Sequence, residues 1–151
     1  MEDIINLSLL KKLKETTKPS WGVMTSQHMV EHLIAAVKMS NGKITCTNCM
    51  NPPERYAILK RYLLSSKPLP KNFVNTVIGK KLRPLKYKNL ELAKEKLKIE
   101  LDDFRSYFKS NPENKLLNPT FGPLNYNEWK VFHKKHFIHH FTQFGLVKSF
   151  K

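Results

Sequence analysis

Cysteine is nearly absent from this 151-residue chain: Cys46 and Cys49 are its only two. They allow at most one small-loop bridge, which excludes a disulfide-dense secreted module. Glycine is scarce, at 5 residues, and 40% of the chain is hydrophobic, so collagen-like and disordered classes are excluded as well. No run of 18 apolar residues occurs, and with it goes a membrane-spanning helix. Neither Gly-x-Gly-x-x-Gly nor Gly-x-x-x-x-Gly-Lys is present, no nucleophile elbow supports a serine triad, and no paired carboxylates share an apolar helix face. The start, Met1-Glu2-Asp3, lacks the basic residues and apolar block of a signal peptide. These absences lead us to expect a soluble, cytoplasmic protein forming a single domain over 1–151. Such a chain buries roughly 68–70% of its unfolded surface, enough for a real core.

What is abundant is positive charge. Lys and Arg number 27 against 12 acidic residues, a net charge of +15, which would suit a polyanion such as nucleic acid. All but Arg55, Arg61, Arg83 and Arg105 are lysines, however, and base-edge and bidentate phosphate recognition favours Arg. The lysines are also dispersed. Their densest stretch, Lys80–Lys88, interleaves basic residues with Tyr87 and is the one segment suited to an anion; otherwise it is a solvated surface.

Apolar residues recur at helical spacing, with no run of strand alternation, so the expected fold is all-α. A first helix is expected over 3–15, with Ile4, Leu7, Leu10 and Leu13 inward, broken by Pro19-Ser20-Trp21-Gly22. A second starts after the N-cap Thr25 and stops at Asn41-Gly42, with Met29, His32, Leu33, Ala36 and Met39 inside. A short helix over 53–64 precedes a long Pro- and Lys-rich crossover, 65–88. The third main helix, 90–109, has Leu90, Ala93, Leu97, Leu101, Phe104 and Phe108 on one face. The fourth starts after Asn125, with Glu128 placed for a capping box, and is expected to reach Val147. The outcome is a four-helix bundle with a crossover that carries a short extra helix, an architecture that places metal sites on facing inner stripes.

All six histidines fall in two of these helices: His28 and His32 in the second, His133, His136, His139 and His140 in the fourth. Trp129, Phe132, His136, His140, Gln143 and Val147 lie in one stripe, away from Lys130, Lys134 and Lys135. His136 and His140 therefore stand where the pattern calls for Leu or Phe, and His32 does the same in its helix. Residues four apart on a helix are about 5–6 Å apart at Cβ, which lets two imidazoles converge on one ion at about 2.0–2.1 Å. A single buried His is ordinarily a satisfied core residue. Three brought together without a common partner would leave several ring nitrogens unpaired, at roughly 1–3 kcal/mol each. A divalent metal on His32, His136 and His140, with positions left open for water or substrate, is the expectation. His28 is a candidate fourth ligand or outer base, or a solvated group. His133 and His139 flank the stripe as structural or surface residues. Gln143 is a candidate to orient a ligand, Trp21 and Phe121 to line a pocket lip. Glu31 points about 100° away from His32 and receives no base role. Cys46-x-x-Cys49 neither opens a helix after a strand nor has a second ligand pair, so it receives no redox or zinc assignment.

Three segments, Trp21-Gly22-x-Met24-Thr25-Ser26-x-x-Met29-x-Glu31-His32-Leu33, Pro119-x-Phe121-Gly122-x-Leu124-x-x-x-Glu128-Trp129 and His136-x-x-His139-His140-x-x-Gln143-Phe144-Gly145, together span nearly the whole chain. In order and spacing they resemble a domain-of-unknown-function branch of the DinB-like superfamily. The resemblance implies an up-down-down-up four-helix bundle holding nickel or zinc, sometimes iron, on one His of the second helix and an HxxxH pair of the fourth, which fall on His32, His136 and His140. It also implies a thiol-dependent transferase or isomerase among the possible activities, with a low-molecular-weight thiol as cofactor. The chain departs from the pattern at Asn118, where relatives have His, and at the extra His28.

The leading expectation is a metal-dependent enzyme acting on a small molecule, by thiol-dependent transfer, hydrolysis or isomerisation. The alternatives are a non-enzymatic metal- or small-ligand-binding bundle and, third, a basic nucleic-acid-associated protein using Lys80–Lys88. No membrane partner is expected, and a homodimer is left open.

Overall fold

The computed structural model describes residues 5–70 and 82–148, and they are mostly helical. The principal elements are α1 (Ser26–Ser40), α2 (Tyr56–Leu64), α3 (Leu90–Ser110), a hairpin of β1 (Leu116–Asn118) and β2 (Gly122–Leu124), and α4 (Tyr126–Gln143). No helix among the described residues is long and apolar enough to cross a membrane.

The long helices begin where their caps dictate. Thr25, Asn89 and Asn125 each accept an N–H of the first turn on a side-chain oxygen, satisfying donors that a helix start leaves orphaned. Asn125 and Glu128 complete the expected capping box, each accepting the other's backbone N–H at 2.9 Å. α1 packs on α3 and α4, and α2 on α4. Met29, Val30, Leu33, Ile34 and Val37 of α1 meet Leu97, Leu101 and Phe104 of α3 and Trp129, Phe137 and Phe141 of α4 in one core. Ala36 and Met39, expected inside, are half-buried at its edge.

Three expectations are corrected. The helix over 3–15 is, in its described part, only a 3-10 segment, Leu7–Lys12. Leu7, Leu10 and Leu13 at steps of three fit three residues per turn as well as they fit an α-helix. The chain then turns toward α1, where Ser26 Oγ donates to Lys14 O at 2.7 Å and Lys94 Nζ to Leu13 O at 2.8 Å. The second correction is the hairpin, whose three-residue strands are too short to show alternation. Asn118 Oδ1 accepts Thr120 N and Phe121 N at 2.8 and 3.1 Å and so shapes its turn. Gly122 has φ +81°, and a Cβ there would lie 2.7 Å from the Tyr56 ring. The third is the end of α4, at Gln143 rather than Val147. Gly145, at φ +72°, donates to Thr142 O, and Leu146 N to Phe141 O, the paired bonds of a glycine-terminated helix. Part of the expected crossover, including Lys80 and Lys81, lies outside the described residues.

One histidine belongs to the core alone. His133 is fully buried against Trp129 and Phe104, with Nε2 2.7 Å from Ser40 Oγ, which itself reaches Val37 O at 2.7 Å. Ser40 has one proton. If it goes to Val37 O, His133 Nε2–H donates to Oγ and only a lone pair on Nδ1 is unpaired, consistent with the lack of any partner at that atom. An unmet acceptor is the cheaper defect. Burial pushes the His133 pKa down to about 3. The unfolded chain therefore binds a proton that the folded chain refuses between pH 6.5 and 3, and stability present above pH 6.5 is lost as the pH falls through that window. His133→Phe keeps an aromatic ring at the position, removes the titrating group and leaves Ser40 bonded to Val37. Chemical denaturation across this window should show a shallower acid loss than wild type, by up to about 1.4 kcal/mol per pH unit. Equal slopes would contradict the assignment.

Candidate metal centre

The site begins with helix register. His136 and His140, one turn apart on α4, and His32, on the face of α1 toward α4, bring three imidazoles together. Their ring centroids stand 4.8–4.9 Å apart in all three pairs, inclined at 71–74°. His32 Nε2 lies 3.0 Å, and His140 Nε2 3.2 Å, from His136 Nε2. The three donor atoms all fall within 4.8 Å of one another, and among the described residues no other group of His, Cys, Asp or Glu is so placed. The expected triad is thus close enough to bind a metal.

Proton counting tests whether these rings fit an ion. A ring nitrogen offers one in-plane proton or one lone pair, yet His136 Nε2 faces two other Nε2 atoms at hydrogen-bond distance. Without a third body, the single proton or lone pair on His136 Nε2 cannot be aimed well at both. His140 also has its tautomer set, because Gln143 Oε1 lies 2.7 Å from His140 Nδ1 and accepts its proton, leaving a lone pair on Nε2. A cation accepting all three lone pairs removes the conflict.

The rings are held in the donor form. Burial, then the positive charge of Arg83, then His139, push the His32 pKa down to about 4. Burial first, and then the neighbouring imidazoles, hold His136 and His140 well below the usual range, the Gln143 bond acting weakly the other way on His140. All three are neutral at pH 7, so metal binding there need not displace protons. His136 and His140 are buried whereas His32 is partly exposed, so the way in from solvent passes His32.

Gln143 does more than orient a ligand. Its Nε2 donates to Trp21 O at 2.8 Å and its backbone carbonyl accepts Ser20 N at 2.7 Å. Gly22, at φ +81°, allows that approach; a Cβ would sit 2.9 Å from Gln143 Nε2. Trp21 lays its ring edge-on to His139 at 5.6 Å. Phe121 is one ring removed from the site, packed on Phe132, which lies against His136. His28 is not gathered into the triad. Its Nε2 lies 3.1 Å from Arg83 O and its Nδ1 2.6 Å from Thr25 Oγ1, which employs both nitrogens. Glu31 accepts Lys86 N and Tyr87 N, an anchoring role that helix spacing gave no sign of. Cys46 and Cys49 are free thiols in a loop bonded to the hairpin turn through Met50 and Asn51. Burial pushes the Cys46 thiol up, away from reactivity.

No family model matches the chain, and no curated protein or solved structure matches it either. The geometry alone yields a prediction. Gln143→Ala frees the His140 ring and unties Trp21, and should weaken metal affinity about 10–100-fold while leaving the three ligands in place. Competition against a chelating dye measures it; an unchanged affinity would refute the orienting role.

Proposed function

We propose that this protein is a metal-dependent enzyme of the DinB-like type, an up-down-down-up four-helix bundle with a shortened first helix, in which His32, His136 and His140 hold one divalent ion. The observation that carries this reading is the meeting of three neutral Nε2 atoms from two helices, with one of them facing both others. Imidazole donors suit nickel, zinc and iron, and nickel or zinc is our first choice.

Three protein ligands, with His32 partly exposed, leave room for a reacting molecule, as catalytic rather than structural sites do. A bound ion supplies a nucleophile near neutral pH by lowering the pKa of a coordinated water or thiol. The chain's own residues supply orientation. Gln143 fixes the His140 ring, and His139 packs between that ring and Trp21. Glu31 has its oxygens committed to backbone amides and does not serve as a base. The reaction we assign is thiol-dependent transfer, hydrolysis or isomerisation of a small molecule in the cytoplasm. The transfer reading, and a low-molecular-weight thiol with it, is supported by the resemblance of the three motif segments to DinB-like proteins.

Metal analysis of tag-free protein tests the centre. Wild type should hold about one nickel or zinc ion per chain, and His136→Ala and His140→Ala less than a tenth of that, with helical content by circular dichroism retained. Wild type as empty as the variants, even after reconstitution, would refute the assignment.

A further inference from the structure

The segment that follows the crossover runs along α1 beside the entrance to the triad, and its backbone is pinned there. His28, one turn before His32 on α1, meets Arg83 O at 3.1 Å. Glu31 accepts Lys86 N and Tyr87 N at 2.8 and 3.2 Å, and Gln27 Nε2 donates to Tyr87 O at 2.8 Å. Every one of these bonds uses the backbone of the segment. The side chain of Arg83 is exposed and, among the described residues, forms no ion pair. A five-donor guanidinium with no ion-pair partner among the described residues is therefore held on a fixed backbone, one helical turn from the partly exposed His32.

The triad consists of neutral donors and includes no carboxylate. Glu31, the acid adjoining His32 in sequence, already carries the two amides. A divalent ion on three neutral rings keeps its full charge, to which Arg83 adds another, and the positive field of Arg83 is felt at His32. A planar guanidinium fork is suited to carboxylate and phosphate oxygens, which it can engage in pairs.

We propose that Arg83 is a substrate-recognition residue of this site, and that the substrate is a small oxyanion, with a carboxylate or phosphate group paired to the Arg83 fork at the His32 side of the triad. This rests on the metal-dependent reading given above. Arg83→Gln removes the charge and Arg83→Lys keeps it without the fork; neither touches the triad or the backbone bonds of the segment.

The probe is inorganic phosphate, titrated calorimetrically into full-length protein reconstituted with zinc, after metal content and thermal midpoint have been measured for each variant. We expect one zinc per chain and an unchanged midpoint throughout, phosphate affinity at least tenfold weaker in Arg83→Gln, and an intermediate value in Arg83→Lys. Equal affinity in wild type and Arg83→Gln, or no phosphate binding to zinc-loaded wild type, would overturn the assignment of Arg83 while leaving the metal centre intact. Wild type that takes up no zinc would overturn the metal reading, and this inference with it.

Discussion

The arrangement of His32, His136 and His140 depends on a constraint of ring chemistry: an imidazole nitrogen in a helix-packed interior has one bonding direction and must spend it. His136 Nε2 is within hydrogen-bond distance of two like atoms and can satisfy only one of them with a proton. The surroundings keep the rings uncharged and fix one tautomer. Burial depresses all three pKa values, and Gln143 takes the proton of His140 Nδ1. The interior thus holds three neutral rings whose Nε2 atoms face one another from two helices, a costly set for apolar packing and a natural one for a cation.

His133 shows the opposite solution on the same helix. It is buried as deeply as the triad, but it faces Ser40 and the aromatic rings of Trp129 and Phe104 rather than other histidines. A hydroxyl relay to Val37 O meets its one proton. His133 is thus satisfied by a hydroxyl, whereas the three rings of the triad crowd one another, and side-chain neighbours, not residue type, decide which is which.

The triad was legible in the sequence because it needs only helix register: four-residue spacing on one helix and one apolar-face position on another. The capping box and the third helix followed from the same kind of local rule. What failed was local signal with two meanings. Leu7, Leu10 and Leu13 satisfy a 3-10 turn and an α-helix alike, and bonds from Ser26 and Lys94 decide between them. The hairpin strands, three residues each, carry no period to detect. Gly145, read as interior, was a stop. The roles of Gln27, His28 and Glu31 in holding residues 83–87 were illegible for a different reason: they join positions more than 50 apart, which no spacing rule reaches.

Gln143 connects parts of the chain that lie far apart. One side chain and its carbonyl join the His140 ring, Trp21 O and Ser20 N, and the bare α-carbon of Gly22 permits the approach. The stretch before α1 and the last turn of α4 are therefore two ends of one mechanical link whose midpoint bonds the His140 ring. By thermodynamic reciprocity, if steadying the Ser20–Gly22 stretch strengthens the hold of the triad on an ion, an ion bound there would damp that stretch by the same coupling.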